Sequence, residues 1–175
     1  LRHLPFVTID PHDAKDFDDA VCLSDDNSTL WVAIADVASY VRQDTPLDRA
    51  ARARATSVYL PHTVLPMLPP RLADDLCSLR ANVDRRAMVL ELRLDEQKVT
   101  ECVPHEAVVR VRANRSYDEV LERGEVDDLL TLAAAMREGD RRLELHQAEL
   151  RPRLRGTDDI SVDIKRPNEA TAMIE

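Results

Sequence analysis

The segment TIDPHDAKDFDDAV, residues 8–21, decides how the rest of this chain is interpreted. It holds five aspartates, and all five fall between Asp10 and Asp19. Two short apolar segments flank the aspartates, FVTI before and AVCL after, and both have the length and composition of buried strands. Four acids lie between or at the ends of these strands: Asp10, Asp16, Asp18 and Asp19. The pattern therefore predicts carboxylates held close to a hydrophobic core.

Carboxylates that a fold holds near one another repel and are costly to desolvate, unless a cation neutralises them. Ligands that are all oxygen favour hard ions such as Mg²⁺, Mn²⁺ or Ca²⁺. Mg²⁺ usually takes about one or two protein carboxylates, so the four acids indicate more than one ion. The alternative is an acidic turn on the surface, because most runs of charge are simply solvated.

Composition limits the class of protein. The chain has 175 residues, is 44% hydrophobic and has length enough for one domain. Its 33 acids against 24 bases argue against a protein that coats nucleic acid by charge alone. Cys22, Cys77 and Cys102 have no CxxC spacing, which indicates neither a disulfide framework nor a zinc site. Without a long apolar run or a charged-then-apolar leader, we expect no membrane span, no signal peptide and a cytoplasmic location.

The first half of the chain is predicted to contain strands, one helix and a long loop. Residues 30–38 form an apolar run typical of a strand covered on both faces, in which Asp36 is a hydrogen-bonded structural residue. Residues 46–56 are predicted to be a helix with a proline in its first turn. Residues 57–82 are rich in proline and are predicted to be a structured loop. Tyr59 lies in this loop, and the residues alone favour a place in the core over a place in a groove.

The second half changes from strand to helix periodicity. Residues 87–94 alternate, with Met88 and the leucines on one face, and pair with residues 99–111 in a hairpin that Pro104 breaks. Ser116 with Glu119 predicts a capping box. Residues 126–150 predict an amphipathic helix that Pro152 ends, followed by a strand, a turn and the start of another helix.

Three blocks carry a resemblance to a known family. TIDPHDAKDFDDAV, LWVAIADVASYV and the proline-rich series YLP, LPMLPPRL and DDLCSLRAN occur in this order. Together they resemble the catalytic (RNB) domain of the ribonuclease II and ribonuclease R family, closely over residues 1–117 and more weakly to residue 175. The resemblance implies an α+β fold, with a mixed, largely antiparallel sheet flanked by helices. It also implies that residues 1–175 are the N-terminal part of that domain, with no second domain.

The same resemblance implies an activity and its residues. The activity is that of a hydrolytic exoribonuclease, which degrades single-stranded RNA processively from the 3′ end to nucleoside 5′-monophosphates. By motif, Asp10, Asp16, Asp18 and Asp19 match the family's catalytic metal centre, which uses two Mg²⁺ ions that Mn²⁺ can replace. Tyr59 matches a tyrosine that stacks on a base near the 3′ end. Glu175 is a candidate for an additional active-site acid.

Further expectations follow from the family pattern. The partner is single-stranded RNA, and the protein is expected to be a monomer. The second half of the catalytic domain, its catalytic arginine and the oligonucleotide-binding modules are expected downstream in the parent chain. Ser39 departs from the pattern, since family members often have histidine there, and we interpret this as a tolerated peripheral change.

Rival functions remain open from the sequence. DFDDAV is also typical of DxD-type metal-dependent phosphatases and nucleotide-sugar transferases, although the proline-rich block argues against both. A catalytically silent relative that binds RNA or regulates is a second alternative. A structural calcium site is disfavoured, because the segment lacks the loop glycine and the closing glutamate of an EF-hand.

Overall fold

The structure is a computed structural model that describes residues 1–60, 62–137, 149–155 and 159–174. Its main element is a six-stranded sheet. In chain order the strands are β1 (Val7–Asp10), β2 (Asp19–Leu23), β3 (Thr29–Ala35), β6 (Asp84–Asp95), β7 (Lys98–Arg110) and β8 (Ala113–Ser116). In space the order is β7-β6-β3-β2-β1-β8. Every neighbouring pair is antiparallel except β1 with β8, which is parallel. The predicted α+β class and largely antiparallel sheet are confirmed.

Two small hairpins, four α-helices, a 3₁₀ turn (Val37–Ser39) and a π-helical turn (Leu72–Leu76) complete the described fold. The hairpins pair β4 (Val58–Leu60) with β5 (Thr63–Leu65), and β9 (Glu149–Arg155) with β10 (Asp159–Lys165). The helices are α1 (Pro46–Arg54), α2 (Tyr117–Arg123), α3 (Asp127–Arg137) and α4 (Glu169–Ile174). Within the described ranges, no helix is both long and apolar enough to cross a membrane.

One face of the sheet carries the larger core. Small side chains from the central strands, among them Ala20, Ala33 and Ala87, leave room above the sheet for bulkier groups from loops. Phe6 and Leu79 fill this room and are completely buried. Burying side chains of this size stabilises a fold by roughly 1.5–3 kcal/mol each. The loop that contains Leu79 is therefore held firmly against the sheet.

Among the described residues, helices cover only one end of the opposite face of the sheet. Around Ile9, residues of α2 and α4 pack against β1 in a second cluster that includes Val120 and Ala170. Further along this face, Ile34 of β3 lies opposite Met88 of β6, and they are 43% and 37% exposed. The prediction that residues 30–38 are covered on both faces is therefore wrong near the end of β3, at Ile34.

The predicted hairpin of β6 and β7 is confirmed, but the predicted break at Pro104 is wrong. Ala87 and Val89 of β6 are buried in the core, while Met88 between them is exposed. Alternation gives the period of a strand and leaves open which of its two faces is buried. Pro104 does not interrupt β7, which pairs continuously past it, with Pro104 opposite Leu90. Because β7 is an edge strand, the missing N–H can point away from the sheet.

The helix predictions are confirmed near their starts. Thr45 caps α1, and Ser116 with Glu119 forms the predicted capping box of α2. The single helix predicted over residues 126–150 is wrong at its far end: α3 is described over Asp127–Arg137, and Leu150 and Pro152 lie in strand β9.

Candidate functional site, an acidic loop between two strands

The four aspartates lie where β1 passes into β2. Asp10 is the last residue of β1 and Asp19 is the first residue of β2, so they occupy the same end of two adjacent antiparallel strands. Asp16 and Asp18 lie in the connection, residues 11–18, which we call the acidic loop. We refer to Asp10, Asp16, Asp18 and Asp19 as the aspartate cluster. The predicted placement of acids between two strands is therefore what the structure shows.

A buried hydroxyl holds the middle of the acidic loop. The backbone N–H of Phe17 donates to Ser78 Oγ at 3.0 Å, and the Ser78 hydroxyl donates to the backbone oxygen of Lys15 at 2.9 Å. These two backbone groups lie on either side of Asp16. Ser78 is completely buried, so neither bond competes with bulk water.

Backbone hydrogen bonds fix the end of the loop. The N–H of Leu79 donates to the oxygen of Phe17 at 2.8 Å, and the N–H of Ala35, the last residue of β3, donates to the oxygen of Asp18 at 2.8 Å. The loop from Lys15 to Asp18 is thus bonded both to the segment around Ser78 and to the sheet. These hydrogen bonds restrain the backbone around Asp16 and Asp18 and leave their side chains to rotate about their own torsions.

The half-buried side-chain amide of Asn114 connects this segment to β1. Asn114 of β8 donates to Thr8 Oγ1 at 2.9 Å and to the backbone oxygen of Leu79 at 3.0 Å. Its side-chain oxygen accepts from the N–H of Ala81 at 2.8 Å. Because Thr8 precedes Asp10 on the same face of β1, this network joins the strand that carries Asp10 to the loop that holds Asp16.

Burial and mutual repulsion raise the pKa values in the cluster. The pKa of Asp10 is raised to about 7, mainly by burial, with smaller contributions from the charges of Asp19, Asp18 and Asp16 and a partial offset from Thr8. Burial raises the pKa of Asp18, and the charges of Asp16 and Asp19 add to it. Burial also raises the pKa of Asp19. These carboxylates are held in an arrangement that disfavours their ionised forms.

The donor chemistry of the cluster fits a hard cation. None of its four carboxylates forms an ion pair with any described lysine or arginine. Asp10 Oδ2 is buried and has no hydrogen-bond partner, which is costly unless something else compensates it. The four side chains do not, however, converge on a single metal position. In the described part of the chain, no three His, Cys, Asp or Glu side chains converge closely enough to hold a metal ion.

Tyr59 lies beside the cluster and not in the core. Tyr59, on β4, is 66% exposed, and its hydroxyl donates to Asp16 Oδ2 at 3.1 Å. Partial burial and the negative charge of Asp16 raise the pKa of the Tyr59 hydroxyl. The interpretation of Tyr59 as a core residue is therefore wrong, and an exposed aromatic face adjoins the carboxylates.

Other predicted and unpredicted features lie apart from the cluster. Asp36 has the predicted structural role, since its carboxylate accepts from the N–H of Ser39 at 3.0 Å and from the Ser39 hydroxyl. A cavity of about 380 Å³ lies between β2 and the turn that joins α2 to α3, and it includes none of the four aspartates. Glu175, the candidate additional acid, lies outside the described residues.

Sequence reasoning missed the two side chains that hold the loop, Ser78 and Asn114. Ser78 had a usable signal, because it is a lone small polar residue between Cys77 and Leu79 in a stretch already noted for its unusual composition. Asn114 had none. Its contact with Thr8 spans 106 positions of the chain, and local pattern carries no information at that separation.

In metal-free protein we expect Asp10 to lower the free energy of unfolding as the pH rises towards neutral. Unfolded Asp10 loses its proton near its ordinary pKa of 3.8, whereas folded Asp10 keeps it until about 7. Between these values the folded state binds more protons, so rising pH costs stability, and the loss levels off above about 7. Urea unfolding in EDTA at several pH values measures this slope.

The substitution Asp10→Asn should flatten that slope, because an amide does not titrate. Asp95→Asn, at the exposed end of β6, is a matched control and should leave the profile as it is in wild type. Identical profiles for wild type and Asp10→Asn would contradict the raised pKa of Asp10.

The fold and the sequence together place this chain in a known protein family. The sequence matches the RNB domain over residues 1–175, and the chain belongs to that family. Over 124 residues it is 51% identical to Ribonuclease R of Escherichia coli (strain K12), which covers 69% of this chain and 15% of that protein. Its fold matches Mycoplasma genitalium RNase R in complex with double-stranded RNA, with a TM-score of 0.90 and 29% identity over 99% of this chain and 35% of that one. The family predicted from the sequence is confirmed.

The curated relatives are much longer than the stretch that matches this chain. The matched stretch spans 15–18% of the length of the curated relatives. Yeast Ssd1, a pseudonuclease, shares the fold with a TM-score of 0.64 and 21% identity over 80% of this chain and 19% of that one. A shared fold does not determine catalysis, so the activity has to be argued from the residues of the site.

Proposed function

We propose that this chain provides the metal-binding part of an exoribonuclease active site. The full-length protein would degrade single-stranded RNA processively from the 3′ end and release nucleoside 5′-monophosphates. The observation that carries the proposal is the aspartate cluster: four carboxylates at the adjoining ends of two strands, without an ion-pair partner among the described bases, with a buried and unpartnered oxygen on Asp10. Membership of the RNB family and the ribonuclease R relatives support RNA as the substrate class.

The cluster is the place where this chain would hold Mg²⁺ or Mn²⁺. Its donors are all oxygen, and together they exceed what one Mg²⁺ usually takes from a protein, which favours two ions. When bound, these ions would supply positive charge that activates the attacking water and stabilises the leaving 3′ oxygen. Asp16 and Asp18 are held at the backbone, so their carboxylates can meet the cations without reordering the loop.

Tyr59 would hold the RNA relative to the cluster. Its ring is exposed, and its hydroxyl is bonded to Asp16, so a base stacked on the ring lies beside the carboxylates. Stacking on an aromatic ring contributes about 1–3 kcal/mol per base and tolerates any sequence. A nuclease that degrades RNA without regard to sequence needs this kind of contact.

Substituting Tyr59 by alanine is expected to change the length of the final product while hydrolysis continues. Stacking positions the 3′ end relative to the carboxylates and does not itself break bonds. Tyr59→Phe keeps the ring and loses only the hydrogen bond to Asp16, so its product length should equal that of wild type. Gel analysis of a 5′-labelled oligoribonucleotide at completion separates the two variants. If all three proteins stop at the same length, the stacking role is wrong.

A second candidate is RNA binding without turnover. It is favoured by the side-chain arrangement, in which no three candidate ligands from the described residues converge. A DxD-type phosphatase or transferase is disfavoured, because the chain belongs to the RNB family. Cytoplasmic location, a monomeric state, the downstream half of the domain and the role of Glu175 stay predictions.

One experiment separates turnover from binding. The full-length protein is incubated with a 5′-labelled single-stranded oligoribonucleotide, with and without Mg²⁺, and the products are resolved on a gel. We expect a ladder that shortens from the 3′ end only when Mg²⁺ is present, and no ladder from the matching oligodeoxyribonucleotide. Retarded but intact RNA in both conditions would favour the silent relative.

A further inference from the structure

The buried hydroxyl of Ser78 bridges two backbone groups of the acidic loop. It is 0% exposed, and its hydroxyl both donates and accepts, which uses the single proton and one lone pair of the oxygen. The two partners are backbone groups of Lys15 and Phe17, one on each side of Asp16. A single side-chain oxygen therefore fixes the orientation of both peptide groups that flank one carboxylate of the aspartate cluster.

Ser78 is itself held in place from the sheet. Arg85 of β6 donates from Nε to the backbone oxygen of Ser78 at 3.0 Å, and its Nη2 donates to Asp75 Oδ1 at 2.5 Å. The Arg85 side chain is largely buried. The backbone of Ser78 is thus anchored to the six-stranded sheet through Arg85.

We infer that Ser78 is a positioning residue for the aspartate cluster. It would set the separation of Asp16 from Asp18 and Asp19, and so determine how tightly the cluster binds divalent cations. Like charges held near one another repel, and the two hydrogen bonds to Ser78 oppose the displacement of the loop that would relieve the repulsion. This inference rests on the proposed function of the cluster as a metal centre.

The test uses the full-length protein with Ser78→Ala. In metal-free protein, hydrogen exchange at the Phe17 amide should become faster, because that N–H loses its acceptor, Ser78 Oγ. Mn²⁺ binding, measured by isothermal titration calorimetry or electron paramagnetic resonance, should weaken about 10–100-fold, as is typical when a residue that orients metal ligands is removed. The Mg²⁺ concentration for half-maximal cleavage should rise in parallel, while RNA affinity stays near that of wild type.

Two further variants and a control make the result specific. Ser78→Thr keeps the hydroxyl and should restore Mn²⁺ binding. Ser78→Cys keeps nearly the same volume with much weaker hydrogen bonding, so it should show weakened binding even if the alanine variant does not fold. Ser24→Ala is the matched control: Ser24 also accepts from backbone N–H groups, of Ser28 and Thr29, but it follows the far end of β2. It should bind Mn²⁺ as wild type does.

The outcomes distinguish this inference from the proposed function. If wild type binds Mn²⁺ and cleaves RNA while both Ser78→Ala and Ser78→Cys bind Mn²⁺ equally well, only the positioning role is overturned. If wild type itself binds no Mn²⁺ and does not cleave RNA, the proposed function fails and the inference fails with it. A loss of melting temperature without a change in Mn²⁺ affinity assigns Ser78 to the core alone and overturns the inference.

Discussion

The substitution Asp18→Asn is expected to lower RNA cleavage by the full-length protein by about 10²–10³-fold, because losing one ligand charge would displace the cations that stabilise the transition state. Asn keeps the size of the side chain and removes its charge. Asp18 lies between Asp16 and Asp19, and both charges act on its pKa, so it is electrostatically coupled to the rest of the cluster. RNA affinity should change little, because a carboxylate does not attract a polyanion. Single-turnover cleavage and equilibrium binding measure the two quantities separately.

A matched control tests whether the effect belongs to the cluster. Asp25→Asn also removes one negative charge, but from an exposed turn just beyond the far end of β2. We expect that variant to cleave at the wild-type rate. Turnover by Asp18→Asn at the wild-type rate would remove the assignment of the cluster as the metal centre.

The parts of this fold that the sequence predicted are those with a local cause. The acidic loop was predictable because the apolar segments on both sides of it give strands whose ends must meet, and β1 and β2 do meet there. The capping box at Ser116 was equally local, since both partners lie within one turn of helix. For such features, residues that interact in space are also close together along the chain.

The missed features depend on contacts between distant parts of the chain. The hydrogen bonds of Ser78 to the acidic loop span 61 and 63 positions, and periodicity holds no signal at that range. The sequence left the buried face of β6 open, because the choice between Met88 and Val89 depends on which face the segment around Leu79 covers. Pro104 was misjudged for a similar reason, since only the order of strands shows that β7 is an edge.

Tyr59 shows what residue type alone leaves undecided. A tyrosine among apolar residues is more often buried than exposed, yet the hairpin of β4 and β5 leaves Val58, Tyr59 and Val64 open to solvent. The motif match suggested the stacking role, and the structure supplies the contact with Asp16 that places the ring beside the cluster. Composition, motif and geometry each contributed a different part of this assignment.

Removing divalent cations is expected to abolish cleavage and also to destabilise the folded protein near neutral pH. Both effects have one physical cause. The cluster places four carboxylates together without a described ion-pair partner, and burial raises the pKa of Asp10 to about 7. A bound cation favours the ionised carboxylates and replaces repulsion by attraction. Binding to the folded state alone stabilises it by about 2.7 kcal/mol when the free cation is at about 100 times its Kd.

The measurement compares EDTA-treated protein with protein returned to Mg²⁺ or Mn²⁺, by cleavage rate and by thermal unfolding. Either ion should restore cleavage and raise the melting temperature, whereas KCl at matched ionic strength should do neither, because screening cannot replace coordination. In Asp10→Asn the rise in melting temperature should shrink, since that variant has one fewer ionised ligand and no raised pKa to reverse. Full cleavage in EDTA would exclude a metal mechanism. A normal loss of cleavage with no change in melting temperature would instead mean that the essential cations bind outside the aspartate cluster, because ions bound within it must relieve the repulsion among Asp10, Asp16, Asp18 and Asp19.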